Sequence, residues 1–286
     1  MLPSNWTCFV INLDRSTYRL RSISRQLAKS GIAFQRFEAV DGSVLDPDCH
    51  PAFNRQRYEQ RHGKEPVANE IGCFMSHIGV MEAFLRSGAE RSLVLEDDAL
   101  IDASLAGVLH ELEDAADAWD MTLLYGNHFG APLRQRPLGM NHHLVGFFFR
   151  QTGAVAYAIN RKAAEAYLAH LLPMTLPIDV DYDRAWDFSI RFRGVLPFPV
   201  RTGKHASEIG KTGRKFVWYR RFATYLNRMN HGARRLLHYA FTDPIWLTAL
   251  KRRLAPPTHR AEGNGSPLQS VTSLSPVLSQ LKKARS

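Results

Sequence analysis

The sequence predicts an α/β protein built on an open, mostly parallel sheet flanked by helices. Short, almost uniformly apolar runs such as CFVINL (Cys8 to Leu13), SLVLEDD (Ser92 to Asp98) and DMTLLYG (Asp120 to Gly126) have the length of strands buried on both faces. Between them lie stretches with helical apolar spacing, so strand and helix alternate as in βαβ units. The 286 residues are 45% hydrophobic and 22% charged, which suits one large domain or one domain with an appendage. That composition excludes a wholly disordered chain, a collagen-like chain and a disulfide scaffold.

Taken in order, the strand at Cys8 to Leu13 is followed by turn and cap chemistry at Asp14 to Ser16 and a helix carrying Leu20, Ile23 and Leu27, closed by Gly31. IAFQRFEAV (Ile32 to Val40) reads as a second strand ending at Asp41-Gly42. Residues 43–68 form a polar excursion too long for a simple connection, expected to be a functional loop or a small helical insert. Ile71, Phe74, Ile78, Met81 and Leu85 mark a helix from Glu70 to Arg86, and Gly88 is its natural cap. The strand at Ser92 to Asp98, a helix over 102–118 and the strand at Asp120 to Gly126 continue the alternation. A hairpin is expected through 128–150, then GAVAYAIN leading into a helix at Arg161 to Leu172, a loop entering a helix across PIDVDYDRAWD, and a last edge strand at Val195 to Val200. The expected boundaries are an α/β domain over 1–213, a basic amphipathic helical segment over 214–254 and a disordered tail over 255–286.

Charge is distributed unevenly. The net charge is +10, yet residues 201–286 hold 17 Lys or Arg against Glu208, Asp243 and Glu262, an excess of +14, and the first 200 residues are net acidic. Such an end suits an anionic membrane surface, an anionic substrate or nucleic acid. Nucleic acid is disfavoured because no reading module accompanies the basic tract. Trp218, Phe222, Tyr225 and Met229 recur at helical spacing among Arg220, Arg221 and Arg228, the pattern of a basic helix lying on a bilayer; packing on the α/β domain explains it equally well. No run approaches the length of a membrane span. MLPSNWTCFVINLD lacks a basic leader and cleavage site, and Cys8, Cys49 and Cys73 form no CxxC, so a cytoplasmic location is expected.

Five segments carry chemistry. Glu96-Asp97-Asp98 closes an apolar strand, where α/β sheets bind ligands. Clustered carboxylates there repel unless a cation such as Mn²⁺ or Mg²⁺ compensates them, although acids capping a helix look the same. Strand alternation places Glu96 and Asp98 on one face with Asp97 turned away. ANEIGCFMSHIGVM offers Ser76 and His77 one helical turn beyond Gly72, a glycine that allows a ligand close to the backbone. Cys73 reads as core, and His77 alone reads more readily as a satisfied buried histidine. INLDRSTYR brings Asn12, Arg15 and Arg19 to a strand end without any GxGxxG or P-loop. In PIDVDYDRAWD, Asp179, Asp181 or Asp187 is a candidate general base, with helix capping the alternative for Asp181 and Asp183. HASEIGKTGRK supplies His205, Lys211 and Arg214 on a basic loop suited to a diphosphate.

Together, VINLDRSTYRL, FEAVDG, EIGCFMSHIGVMEAF, LVLEDDA, GAVAYAINRKAAEAYL, PIDVDYD and SEIGK resemble, in order and spacing, glycosyltransferase family 25, the lipooligosaccharide glycosyltransferases, over roughly residues 8–215. The resemblance implies a GT-A-like fold, a UDP-sugar donor and inversion at the anomeric carbon, with galactose or glucose passed to a saccharide or glycolipid acceptor. It places Glu96, Asp97 and Asp98 in the acidic metal and diphosphate motif, with His205 a further metal ligand. Asn12, Arg15, Arg19, Ser76, His77, Lys211 and Arg214 then contact the donor, and Asp179 is the preferred base ahead of Asp181 and Asp187. A metal-dependent phosphohydrolase and a non-catalytic protein that binds anionic surfaces are the alternatives.

Overall fold

The computed structural model describes residues 1–139, 141–203 and 213–247; the expected disordered tail lies outside them, as do His205 and Lys211. Residues 1–253 form one compact unit. Its strands are β1 (Trp6–Asn12), β2 (Gln35–Glu38), β3 (Arg91–Glu96), β4 (Ala99–Ile101), β5 (Met121–Leu123), β6 (Pro132–Leu138), β7 (His142–Phe147), β8 (Ala156–Asn160), β9 (Phe192–Leu196) and β10 (Val200–Thr202). Its helices are α1 (Thr17–Lys29), α2 (Arg55–His62), α3 (Ala68–Arg86), α4 (Leu105–Asp114), α5 (Arg161–His170), α6 (Ile178–Tyr182), α7 (Ala185–Phe188) and α8 (Phe222–Phe241).

Eight strands form one sheet in the order β2-β1-β3-β8-β5-β9-β7-β6, and β4 pairs with β10 in a small second sheet. Within the large sheet β7 and β8 run against the other six strands. Period-two alternation feeds two cores. Phe9, Ile11, Val94, Tyr157 and Ile159 face the side covered by α3, α5, α6 and α7, with Phe74, Ile78 and Met81 from α3 packed against them. Cys8, Val10, Leu93, Leu95, Ala156 and Ala158 face the side of α1 and α4. Burial on both faces is why these strands read as continuous apolar runs.

Several elements differ from the sequence expectation. The strand expected at an edge is β9, which lies inside the sheet because the β6–β7 hairpin pairs outside it through β7. Pro197 and Pro199 interrupt that run, so Val200 begins β10 and pairs with Ile101. β8 inserts antiparallel between β3 and β5. The polar excursion contains α2, capped by Asn54, whose side chain accepts from Arg57 N, and by Gly63 in the left-handed conformation at φ 75°. The basic segment forms α8, which packs on α2 and α7 within the same unit.

Candidate active site

β1 and β3 are parallel neighbours with Ile11 opposite Glu96, so Asn12 and the Glu96-Asp97-Asp98 triplet emerge side by side at their carboxyl ends. They border a cleft with about 650 Å³ of empty space, further lined by Arg15 and Arg19, by Val40 and Gly42, and by Cys73, Ser76 and His77 of α3. An open α/β sheet builds its ligand site at this position.

Strand alternation does not extend through the acidic triplet. β3 ends at Glu96 and the chain turns, so all three acids reach the cleft. Asp97 is held from both sides: Asn12 Nδ2 donates to its Oδ2 at 2.7 Å and Arg19 to its Oδ1 at 3.2 Å. Asn12 is itself fixed, donating to Ser16 O at 3.1 Å and accepting from Arg36 Nε at 3.0 Å. Arg15 pairs with Asp41 on the cleft rim.

His77 is almost fully buried, with Nδ1 3.0 Å from Tyr157 Oη and Nε2 3.3 Å from Glu96 Oε1. The buried histidine and the site histidine are thus the same residue: it is satisfied, and it orients Glu96. Ser76 is also buried, donating to Gly72 O at 2.7 Å and accepting from Val40 N at 2.8 Å. Gly72 corrects the sequence reading in one respect. The backbone brought close to it is the chain's own turn, since a Cβ at Gly72 would lie 2.6 Å from Gly42 N and 2.7 Å from Val40 O. FEAVDG and EIGCFMSH are therefore two halves of one packed wall of the cleft.

Asp98 bears on cation binding. Its Oδ1 is buried with no hydrogen-bond partner. Burial, reinforced by the neighbouring Glu96 charge and opposed by Arg19, pushes its pKa up to about 6. A hard divalent cation held by Asp98 and Glu96 relieves both the orphaned oxygen and the repulsion, so the residues present fit Mn²⁺ or Mg²⁺. Cys73, His77 and Glu96 also bring ligand atoms within 4.8 Å of one another. Burial raises the Cys73 thiol well above its ordinary range, however, and a protonated thiol is a poor ligand for such a cation.

The aspartates after Pro177 separate into two groups. Asp179 is half-buried and accepts from Gly153 N at 3.2 Å; burial raises its pKa against the opposing charge of Arg150, and it lies within electrostatic reach of Glu96. Asp181 and Asp187 instead clamp Arg184, and Asp187 also meets Arg234 of α8 at 2.6 Å. Asp183 pairs with Arg235 of α8 and accepts from Gln151 N. Arg214 is exposed and is not among the residues lining the cleft, and its carbonyl accepts from Glu65 N. Tyr157, Tyr182 and Arg36, which support the site, escaped the sequence reading because their partners lie 24 to 80 residues away.

The fold and cleft define an α/β architecture with an acidic ligand site at the strand carboxyl ends. The chain belongs to glycosyltransferase family 25: the model of that family, described as glycosyltransferase family 25 (LPS biosynthesis protein), matches residues 5–182. Procollagen galactosyltransferase 1 of Danio rerio is 26% identical over 180 residues, covering 60% of this chain and 30% of that protein. Procollagen galactosyltransferase 2 of Homo sapiens is 32% identical over 123 residues, covering 41% and 20%. The human protein named inactive glycosyltransferase 25 family member 3 is 27% identical over 184 residues, covering 60% and 30%. The chain thus spans less than a third of the length of these relatives. Among solved structures, mannose-1-phosphate geranyltransferase from Thermus thermophilus shows 16% identity and a TM-score of 0.30, covering 69% of this chain and 76% of that one.

Proposed function

We propose that the protein is an inverting hexosyltransferase that moves galactose or glucose from a UDP-sugar to an acceptor hydroxyl in lipooligosaccharide or surface-glycan assembly. The observation that carries this reading is the convergence of Asn12, Arg19 and Glu96-Asp97-Asp98 on one cleft at the ends of β1 and β3. Relatives named as galactosyltransferases favour galactose. Asp98 and Glu96 would hold Mn²⁺ or Mg²⁺, which when bound neutralises charge on the departing diphosphate. Asn12 and Arg19 keep Asp97 fixed beside that charge. The acceptor oxygen attacks the anomeric carbon as the bond to the diphosphate breaks with its electron pair, and the hydroxyl proton passes to Asp179. A raised carboxylate pKa serves that role, because a base works best when its pKa approaches the working pH.

Purified protein offered a panel of UDP-sugars, with and without Mn²⁺, should release UDP slowly from one hexose donor and faster with a saccharide acceptor. Phosphoester cleavage indifferent to sugar and acceptor would replace this reading with a phosphohydrolase. The second part of the reading is a cytoplasmic enzyme resting on an anionic bilayer. Among the described residues no helix is long and apolar enough to cross a membrane. α8, however, turns Phe222, Met229 and Phe241 outward at 67%, 71% and 83% exposure, with Leu226 and Leu237 beside them and Trp218 just before. An apolar stripe flanked by arginines suits the interface of an anionic membrane.

A further inference from the structure

A second cavity, with about 870 Å³ of empty space, lies between α8, α6 and the Phe148–Arg150 segment that follows β7. Four arginines line it: Arg150, Arg184, Arg228 and Arg235. Asp183 is its acidic member and is committed to Arg235, while Arg184 is committed to Asp181 and Asp187. Arg150 and Arg228 make no ion pair among the described residues. Arg235 is 6% exposed and its Nε has no hydrogen-bond partner; Arg150 Nε is likewise buried and unsatisfied.

Like charges so arranged are costly without a counterion. Arg150 and Arg221 both repel the Arg228 guanidinium, and the cationic field extends to His62. A tetrahedral dianion with several acceptor oxygens meets such a set of forked donors better than a neutral sugar does.

We propose that this cavity is a phosphate-ester site, with Arg150 and Arg228 as its principal donors. Resting on the glycosyltransferase reading, the ester belongs to the acceptor. The donor diphosphate is already accommodated at the Glu96–Asp98 end, whereas this cavity shares α6 with Asp179 through Val180. The site would select acceptors bearing a phosphoryl group near the hydroxyl to be glycosylated. That group can come from a phosphorylated saccharide or a phospholipid headgroup.

The test is calorimetric titration of inorganic phosphate into the full-length protein, with UDP and Mn²⁺ present to occupy the donor end. Wild type should bind phosphate, and Arg150→Gln and Arg228→Gln should each weaken it at least tenfold. Arg228 makes no ion pair and is repelled by Arg150 and Arg221, so Arg228→Gln should keep or exceed the wild-type melting temperature, whereas Arg150→Gln, whose charge also faces Asp179 and Asp183, should lower it slightly. Asp98→Asn should bind phosphate as wild type does, so loss of transfer and loss of the phosphate site are separate results. Absence of phosphate binding to wild type, or phosphate binding by both arginine variants as tight as that of wild type, overturns the assignment. Displacement by glycerol 3-phosphate supports a soluble phosphorylated acceptor, and displacement by phosphatidic acid vesicles but not phosphatidylcholine vesicles supports a lipid headgroup.

Discussion

Asp98 and Asp179 are both carboxylates in desolvated surroundings, but different groups surround them. Asp98 has an unsatisfied oxygen among like charges. Asp98→Asn should therefore abolish metal-supported transfer yet leave the metal-free protein at least as heat-stable as wild type, because a strained charge is removed; near-normal turnover across a Mn²⁺ titration would defeat the metal assignment. Asp179→Asn should lower turnover by about 10²–10⁴-fold with little change in UDP-sugar affinity measured by calorimetry. Collapse of donor binding instead would make Asp179 a donor contact. At this scale the sequence was informative where chemistry is local: the acids ending β3 and the Asn12 and Arg19 positions are legible from an apolar run and its break. It ranked Asp179 ahead of Asp181 and Asp187 but could not say which of these acids are held in ion pairs. Asp181 and Asp187 are taken up locally by Arg184, while the pairs Asp187–Arg234 and Asp183–Arg235 depend on where α8 docks, some 50 residues later.

The elements α3 and α2 each give a test. Because the Gly72 Cβ position is already filled by the backbone of Val40 and Gly42, Gly72→Ala should force α3 from that turn. A cost of about 1–3 kcal/mol in urea unfolding is expected, with weaker UDP-sugar binding as the cleft wall shifts. Unchanged stability would mean the wall is loose. On α2, burial, together with Lys64, Arg150, Arg228 and Arg221, lowers the His62 pKa to about 3 against about 6.5 unfolded. Between those values the unfolded chain binds the extra proton, so the stability His62 contributes is complete above pH 6.5 and is lost as pH falls toward 3. His62→Gln should flatten the acid limb of the stability curve by at most about 1.4 kcal/mol per pH unit in that window; an unaltered slope would show that His62 already carries its proton. Element identities followed from periodicity, because buried strands and amphipathic helices carry their burial in the local pattern. Strand order did not: β8 and β9 have the composition of any interior strand, and only pairing places them between β3, β5 and β7.

At the scale of the whole molecule, α8 is fastened to the body by its polar side. Thr224 donates to Gln60 O at 2.8 Å, Arg235 pairs with Asp183, and beyond the helix Arg193 grips Asp243 at 2.6 and 2.7 Å. The side left outward is apolar. Replacing Phe222 and Met229 by serine should therefore abolish co-sedimentation with anionic vesicles at low salt while leaving the melting temperature nearly unchanged. Full-length wild type that ignores such vesicles would refute the membrane reading. The aromatic spacing foretold the helix. Which face turned outward was undecidable until Asp183 and Asp187 were seen to receive its arginines.

Fastening through the polar face also makes α8 a spacer. A bilayer that took up its outer stripe would hold the body one helix diameter away, about 10–12 Å. The hydroxyl presented to Asp179 would then stand at a fixed height above the headgroups. Acceptor length, counted in sugar units from the lipid, would then become a quantity the helix measures.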